Sequence, residues 1–246
     1  MKKWMTQLLG RKKPADTRIC SAVVPAAGSS RRMAGVNKLL LPLEGIPVLI
    51  RTLLALDAAE QVSEIVIAAR EEDILTISGY CKTYGIRKPV KIVRGGEDRA
   101  ASVLAAALEC REDAAYIAVH DGARPLATAE LIDKVIELGY RTNAAAPAVP
   151  VKDTIKVVEG DKVLSTPERD TLRAIQTPQV FDAQLLRAAL QSAVEEGAAV
   201  TDDCSAVERL GKEVYLAEGS YENIKITTPE DMSLAAAILQ KREGLL

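Results

Sequence analysis

Short apolar runs alternate with longer amphipathic segments over the first 150 residues of the chain. The apolar runs are rich in valine, isoleucine and alanine and predict strands at 19–24, 64–69, 90–94, 115–120 and 144–151. The segments between them repeat apolar residues at helical spacing and predict helices at about 47–60, 71–84, 97–110 and 128–139. Strands joined by helical crossovers are typical of a parallel sheet with helices on both faces. This part of the chain therefore predicts a doubly wound α/β fold.

The pattern changes near residue 150. Residues 153–172 alternate at period 2 around Glu159-Gly160-Asp161, which predicts a two-stranded β-hairpin. Because so polar a hairpin buries little by itself, we expect it to pack against a second subunit. The rest of the chain predicts helices at about 182–196 and 203–210, strands at 214–218 and 222–227, and a closing helix that begins at Thr228-Pro229. We predict one domain over residues 19–246, with a protruding dimerisation arm at about 150–172.

Composition narrows the class of partner. The 246 residues include 32 basic and 34 acidic side chains, and only 3% of the residues are aromatic. The chain therefore has neither the basic surface expected for nucleic acid nor a set of aromatic residues on which bases could stack. We expect no nucleic-acid partner.

The cysteines and the first residues indicate where the protein works. Cys20, Cys81, Cys110 and Cys204 lie far apart, without the spacing of a zinc site or a disulfide framework. Residues 1–18 place basic residues around the apolar centre WMTQLL, which is too short for a signal-peptide core or a membrane span. We interpret them as a frayed basic tail, with weak contact to a membrane surface as the alternative. The expectation is a cytoplasmic protein with reduced, mostly buried thiols and no membrane partner.

The first predicted strand leads into VVPAAGSSRRM at residues 23–33. Its small residues, followed by Arg31 and Arg32, allow two interpretations. One is a strand-to-helix turn with a solvated basic face. The other is an anion site, in which backbone N–H groups close around a phosphate and the arginines neutralise its charge. Because a glycine-rich turn is a weak signal by itself, the choice depends on what the fold brings near it.

Polar loops follow three of the predicted strands. They are PAAGSSRRM with the later Lys38, RGGEDRAAS, and HDGARP. Because ligands of an open parallel sheet bind outside the carboxyl ends of its strands, we expect one cleft suited to a polyphosphate and a divalent cation. Asp121, directly after a strand, would hold Mg²⁺, which needs only one or two carboxylates when phosphates supply other ligands. The alternative for Asp121 is an Asx-turn or a helix cap.

The sequence also argues against several familiar chemistries. It contains neither the GxxxxGK[ST] nor the GxGxxG phosphate motif. Its single histidine, His120, and its lack of GxSxG give little support to serine- or histidine-based hydrolysis. For His120 we favour a packed, hydrogen-bonded residue over a proton-transfer group. Nucleotidyl transfer fits better, because an ionised acceptor phosphate needs no general base, only cations that hold two anions together.

A set of motifs carries a resemblance to a known family. In order along the chain they are VVPAAGSSRRM with Lys38, GGEDRAASV, VHDGARP, PVKDTIK, QTPQVF, TDDCSAVE and ENIKITTPEDM. Together they resemble the 2-C-methyl-D-erythritol 4-phosphate cytidylyltransferases of the non-mevalonate isoprenoid pathway, over about residues 19–242. The resemblance implies a Rossmann-like nucleotidyltransferase fold and a homodimer joined by the arm. It also implies the reaction, in which CTP and the methylerythritol phosphate give the cytidine diphosphate product and pyrophosphate.

For the nucleotide, the resemblance implies contacts from two of these loops. The residues that it places against CTP are Ala26, Ala27, Gly28, Gly96, Glu97 and Ser102. The family often has Asp-Glu where this chain has Glu97-Asp98, so either acid is a candidate to face the cytosine base.

For the chemistry, the resemblance implies three cationic side chains and one metal ligand. Arg32 and Lys38 would grip the triphosphate, and Lys225 would stabilise the transition state. Asp121 would hold Mg²⁺ or another hard divalent cation. Period 2 alone places Lys225 opposite two isoleucines, which indicates only that it lies outside the core.

For the acceptor, a polyol phosphate, the resemblance implies a second set of residues. They are Arg124, Thr154, Arg169, Thr177 and Thr201. Thr154 and Arg169 fall on the predicted arm, so they would reach the site of the neighbouring subunit. From its surroundings in the sequence alone, Arg169 is typical of a solvated arm residue.

Two other functions compete with this one. A cytidylyltransferase for another polyol phosphate, such as ribitol 5-phosphate, would share the nucleotide and metal loops, but the acceptor-side motifs PVKDTIK, QTPQ and TDDCSAVE are closer to the methylerythritol family. A non-catalytic nucleotide-binding protein would bind CTP without releasing pyrophosphate. Nothing in the sequence favours that protein, because both lysines and Asp121 are in place.

Overall fold

The computed structural model describes residues 18–28 and 37–244. Its strands are β1 (Cys20–Ala26), β2 (Pro42–Leu43), β3 (Ile46–Pro47), β4 (Val62–Ala69), β5 (Val90–Arg94), β6 (Tyr116–Val119), β7 (Ala144–Pro150), β8 (Val157–Glu159), β9 (Lys162–Ser165), β10 (Arg173–Ile175), β11 (Gln179–Asp182) and β12 (Tyr215–Glu218). Its helices are α1 (Val48–Ala58), α2 (Ile74–Thr83), α3 (Arg99–Leu108), α4 (Ala129–Thr142), α5 (Ala183–Glu195), α6 (Asp203–Glu208) and α7 (Pro229–Arg242). The predicted basic tail, apart from Arg18, lies outside the described residues.

One mixed sheet of eight strands forms the centre of the described structure. Its strand order is β10-β7-β11-β6-β1-β4-β5, and β12 pairs with β7 as well. Four consecutive strands of this order are parallel to one another, as the apolar runs predicted: β6, β1, β4 and β5. Strand β11 is antiparallel to both β6 and β7 and lies between them, so the sheet is mostly rather than wholly parallel.

The two faces of the sheet bury two hydrophobic layers. Along β1, Cys20 and Val24 pack into one layer, whereas Val23 packs into the other. This alternation follows from the period of two along a strand. The first layer also contains residues of α1, α2, α4 and α7, and the second contains residues of α3, α5 and α6. The predicted arrangement of helices on both faces is confirmed.

Helix α4 extends further than its sequence predicts. The prediction ended it near Gly139, but the helix continues to Thr142 and ends where Asn143 adopts a left-handed conformation (φ 65°). Gly139 serves close packing instead of ending the helix, because a Cβ at this position would lie 2.6 Å from Cγ1 of Val180 on β11.

The predicted strand at 222–227 is wrong. These residues follow an irregular path with no strand pairing. The backbone N–H of Ile226 donates to the carbonyl of Ala123 at 2.8 Å, and the Ile226 side chain is buried. Alternation along the sequence therefore reports which side chains face the core, whereas a strand also needs a neighbouring strand with a free edge. The irregular segment lies against the loop after β6 and so brings Lys225 towards that loop.

The predicted hairpin is present as β8 and β9, which form a separate two-stranded sheet. Its turn contains Gly160 at a φ of +57°, which suits a glycine. Exposed apolar side chains lie along this arm and on β10 beside it: Ile155, Val157, Val158, Val163, Leu164 and Ile175. This exposure is unusual for a water-facing hairpin and bears on the proposed assembly.

Two further expectations concern compartment. All four cysteines are free and buried, which confirms the expectation of mostly buried thiols. Among the described residues, no helix is both long enough and apolar enough to span a bilayer.

Candidate active site

A cavity of about 460 Å³ opens at the carboxyl ends of β1, β5 and β6. Ala27 and Gly28 line it from the loop after β1, and Gly96, Glu97 and Ser102 line it from the loop after β5 and the start of α3. Ala26, the last residue of β1, is buried beneath this lining. Of the six residues that the family resemblance implies for CTP, five therefore line one cavity, and Ala26 directly precedes Ala27 in the chain.

Two glycines allow the loop after β5 to pack closely. A Cβ on Gly95 would lie 2.4 Å from the Cβ of Ala27, and a Cβ on Gly96 would lie 2.5 Å from the Cβ of Ala101. The Ser102 hydroxyl accepts a hydrogen bond from the Gly96 N–H at 3.0 Å and donates to the carbonyl of Asp98 at 2.7 Å. The loop is therefore held in shape from within, and its backbone can approach a ligand closely.

Lys38 enters the cavity from a short helical turn at Lys38–Leu40. Asn37 caps this turn, because its Oδ1 accepts from the Leu39 N–H at 3.1 Å. The Asn37 amide also donates to Asp73 at 2.7 Å, which ties the turn to the start of α2. Residues 29–36, which include the predicted triphosphate ligand Arg32 and its neighbour Arg31, lie outside the described residues.

Asp121 is the electrostatic centre of the site. Its Oδ2 lies 3.0 Å from Nζ of Lys225 and 3.5 Å from Nε of Arg124. Its Oδ1 lies 3.5 Å from Nη2 of Arg99. Burial alone would raise the pKa of Asp121, but the charges of these three cations outweigh it and hold the pKa well below its ordinary value. Asp121 is therefore a carboxylate at the edge of the cavity.

Arg99 is a site residue that the sequence analysis missed. Its Nη2 lies 2.7 Å from Oδ2 of Asp203, so the guanidinium bridges the loop after β5, Asp121 and the first residue of α6. Asp203 is fully buried, and this burial raises its pKa, although the positive charge of Arg99 acts to lower it. One sequence signal could have pointed to Arg99: it is the first residue of α3, where the helix dipole disfavours a positive charge. A nearby carboxylate stabilises a cation at that position.

The predicted acceptor residues Arg124 and Thr177 lie behind Asp121. Arg124 is nearly buried, and its Nη1 donates to the carbonyl of Asn223 at 2.7 Å. The Thr177 hydroxyl accepts from the backbone N–H of Asp121 at 3.0 Å. The amide of Asn223 donates to the Thr177 carbonyl at 3.0 Å. These bonds join the loop after β6, the segment before β11 and the irregular segment that carries Lys225.

The other predicted acceptor residues lie apart from the cavity within one chain. Thr201 is exposed and comes just before α6, where its N–H donates to the Ser205 hydroxyl at 3.1 Å. Thr154 and Arg169 lie on and beside the arm, and Arg169 Nη1 donates to the carbonyl of Lys152 at 3.3 Å. Neither arm residue lines the cavity of its own chain.

His120 is packed and hydrogen-bonded, as the sequence analysis favoured. The residue is fully buried, and its Nδ1 lies 2.9 Å from the hydroxyl of Thr177. Burial, assisted by the charge of Arg124, lowers the pKa of His120 to about 4. The imidazole is therefore neutral at neutral pH.

The titration of His120 gives a direct test of this environment. We expect a pKa near 4 in the folded protein, against about 6.5 when unfolded. The unfolded chain then binds more protons between these values, so the free energy of unfolding falls as the pH drops from 6.5 to 4, by about 3 kcal/mol in total. Because the chain has one histidine, NMR of the isotope-labelled imidazole in a protein without a histidine tag reports this residue alone. A measured pKa near 6.5 would contradict the prediction.

The sheet, with a cation-lined cavity where its parallel strands end, has the architecture of a nucleotidyltransferase. Comparison with known proteins identifies the family. The family model for 2-C-methyl-D-erythritol 4-phosphate cytidylyltransferase matches residues 20–241, so the chain belongs to that family and is a cytidylyltransferase by class.

Individual relatives agree with this assignment. Two proteins named 2-C-methyl-D-erythritol 4-phosphate cytidylyltransferase, from Bacillus cytotoxicus and Caldanaerobacter subterraneus, are each 46% identical to the chain. The matches cover 88% and 90% of this chain and 96% and 99% of the relatives. The crystal structure of a 4-diphosphocytidyl-2C-methyl-D-erythritol synthase from Anaerococcus prevotii superposes with a TM-score of 0.81 at 33% identity, over 90% of this chain and 98% of that one. The rival family for ribitol 5-phosphate is not favoured.

Proposed function

We propose that this cavity transfers a cytidylyl group from CTP to 2-C-methyl-D-erythritol 4-phosphate, which gives 4-diphosphocytidyl-2-C-methyl-D-erythritol and pyrophosphate. An oxygen of the acceptor phosphate forms a bond to the α-phosphorus of CTP. The bond from that phosphorus to the bridging oxygen breaks, and pyrophosphate leaves with the electron pair. The observation that carries the proposal is the convergence of Lys38, Lys225 and Asp121 on one cavity, which Gly96 and the loop after β1 also line.

The chemistry fits the side chains at the cavity. The acceptor phosphate is already ionised near neutral pH, so no general base is required, and the one histidine is buried and neutral. The difficulty is to hold two anions together and to stabilise the charge on the departing pyrophosphate. In our assignment, Lys38 and Arg32 grip the triphosphate, and Lys225 stabilises the transition state. These are groups of the kind that phosphoryl transfer requires.

The nucleotide would lie across the loops after β1 and β5. Ala26, Ala27 and Gly28 would follow it with backbone groups, and the Gly96–Ser102 stretch would read the cytosine. Because Ser102 is nearly buried and already bonded to the Gly96 N–H, its main contribution is to hold this loop in shape.

Mg²⁺ fits the residues at Asp121. The side chain is only 10% exposed, lines the cavity and has a strongly lowered pKa, so it offers a charged oxygen ligand. Within the described ranges, no group of three or more potential ligands could hold a metal without help, so the triphosphate would have to supply the remaining oxygens. When bound, the ion would neutralise part of the phosphate charge. The protein's own part is to keep Asp121 ionised and oriented.

The acceptor site would form between two subunits. Arg124, Thr177 and Thr201 would contribute from one chain, and Thr154 and Arg169 from the arm of a second copy. The support is twofold: the arm residues lie away from their own cavity, and apolar side chains such as Val158 and Leu164, each 54% exposed, cover the arm. A second copy packed on the arm would bury them.

We propose residues 19–246 as one domain with this arm at about 150–172. We also propose a cytoplasmic location, which the buried free thiols support.

A substrate survey tests the assignment. We expect pyrophosphate release with CTP and 2-C-methyl-D-erythritol 4-phosphate together, and at least about 100-fold less when UTP or ATP replaces CTP or when ribitol 5-phosphate replaces the acceptor. The measurement is a coupled pyrophosphate assay, with each substrate omitted in turn. Preference for ribitol 5-phosphate would contradict the assigned acceptor. Binding of CTP without any release would indicate a non-catalytic protein.

A further inference from the structure

Asp121 is surrounded by positive charge before any ligand arrives. Both of its carboxylate oxygens lie within 3.5 Å of a cationic nitrogen, from Lys225 and Arg124 on one oxygen and Arg99 on the other. The second carboxylate of the cluster, Asp203, is paired with Arg99 at 2.7 Å. Three cations therefore face two carboxylates at the position proposed for a divalent ion.

A free divalent cation would find poor ligands here. It would have to enter among like charges, and Mg²⁺ gives up its bound water reluctantly unless several oxygens replace it. Glu97 and Asp98 also line the cavity, but Asp98 already accepts from the Ala101 N–H at 2.8 Å as the cap of α3. Among the described side chains, no group of three or more acids, cysteines or histidines offers a complete set of ligands.

The three cations differ in how firmly they are held. The Arg124 guanidinium is anchored to the carbonyl of Asn223, and that of Arg99 to Asp203. Within the described residues, Lys225 forms an ion pair with Asp121 alone, and its side chain is 43% exposed, against 10% for Arg124. Lysine also carries its charge on a flexible stem. Lys225 is therefore the cation that can leave Asp121 without disrupting another bond of the cluster.

We propose that Lys225 occupies the cation position at Asp121 in the free protein, so that the divalent ion binds there only as its complex with the nucleoside triphosphate. The triphosphate supplies the anionic oxygens that both the ion and Lys225 need, and Lys225 moves from the carboxylate to the phosphates. Free metal is thereby kept off the catalytic carboxylate until the nucleotide is in place. This inference rests on the proposed role of Asp121 as a metal ligand and goes one step beyond it.

The test measures metal binding rather than turnover, with Mn²⁺ as the probe and enhancement of water-proton relaxation as the readout of protein-bound metal. Without nucleotide, we expect the wild-type chain to bind Mn²⁺ at least 10-fold more weakly than Lys225→Met, because the variant removes one like charge from Asp121 while the ligand set stays incomplete in both proteins. The double variant Lys225→Met with Asp121→Asn should lose that binding. Lys134→Met, which removes an exposed charge on α4, is the matched control and should behave like wild type. Lys225→Gln provides a second variant, and circular dichroism checks that each protein is folded.

The outcomes separate this inference from the function on which it rests. Equal Mn²⁺ affinity in wild type and in both Lys225 variants would overturn the inference. The role of Asp121 is examined independently with Mn²⁺ and α,β-methylene-CTP, where wild type should form a ternary complex and Asp121→Asn should not. A ternary complex that is indifferent to Asp121→Asn would instead overturn the proposed metal role itself.

Discussion

Replacing Lys225 by alanine is expected to lower the rate of cytidylyl transfer by about 10²- to 10³-fold while the protein remains folded. The expected loss is large because the Lys225 ammonium lies on the cavity, 3.0 Å from Asp121, where our proposal places the reacting phosphates and their developing negative charge. A cation that meets the reacting phosphates stabilises the transition state more than the bound substrate, because negative charge builds up as pyrophosphate leaves. The loss should therefore appear in kcat, with CTP affinity changed less.

Folding of the variant is expected because its neighbours retain partners. Asp121 keeps Arg99 and Arg124, and Lys225 itself is 43% exposed, so no buried charge is left unpaired. Single-turnover pyrophosphate release and calorimetric CTP binding measure the two effects separately. Lys134→Ala, at an exposed lysine paired with Glu218 at 3.5 Å, is the control and should be as active as wild type. A Lys225→Ala enzyme with wild-type turnover would remove Lys225 from the mechanism.

Local sequence pattern predicted the elements of this fold well where burial alone shapes them. Strands such as β4 (Val62–Ala69) are buried between two helical layers, so their continuous apolar runs are distinctive. The short strand β11 (Gln179–Asp182) was not predicted, because its place between β6 and β7 depends on pairing with residues far away in sequence. Residues 222–227 show the opposite error: their alternation suggested a strand, but no partner strand is available. Pairing over long sequence distances is the information that a local pattern lacks.

In the candidate site, too, some features follow from local sequence pattern and others depend on contacts between distant residues. The loops after β1, β5 and β6 could be assigned to one cleft because parallel strands end at one edge of a sheet. The pairing of Arg99 with Asp203, 104 residues apart, could not be read from spacing. The position of Lys225 beside Asp121 also depends on a tertiary contact, the bond from the Ile226 N–H to Ala123. Motif resemblance proposed Lys225 as a candidate, and the geometry adds that it already pairs with a carboxylate.

The proposed exchange of Lys225 between two anions links these observations. In the free protein, Lys225 forms an ion pair with Asp121 at 3.0 Å. In the proposed complex with nucleotide, the same side chain binds the phosphates. The cluster permits this because the two arginines are anchored to Asn223 and Asp203 and lie 3.5 Å from the Asp121 carboxylate, so that carboxylate keeps cationic partners when Lys225 moves. In this proposal, movement of Lys225 towards the bound nucleotide frees Asp121 for the metal ion, while Arg99 and Arg124 stay in place.

Loss of Arg169 is expected to reduce kcat/KM for the acceptor by about 100-fold or more, with a much smaller effect on CTP binding. Arg169 is exposed, and among the described residues its side chain donates one hydrogen bond, of 3.3 Å, to the carbonyl of Lys152, so the substitution to alanine should leave the fold intact. The physical reason for the loss is that an arginine can bind a phosphate through two parallel hydrogen bonds. Steady-state assays with each substrate varied in turn separate the two affinities, and equal losses for both would contradict the assignment.

Hybrids of the proposed dimer decide whether Arg169 acts across a subunit boundary. If each site combines its own Asp121 with the partner's Arg169, a purified hybrid of one Arg169→Ala chain and one Asp121→Asn chain contains one intact site, although each parent dimer is nearly inactive. We expect about half of the wild-type activity from that hybrid.

The inverse hybrid, which pairs a wild-type chain with a chain that carries both substitutions, should be nearly inactive, because each of its sites then lacks one group. If the arm served its own chain, the two results would be exchanged, since only the inverse hybrid would then contain an intact site. Each hybrid carries both substitutions once, so a difference in activity between them reports only whether Arg169 acts in its own site or in that of the other subunit.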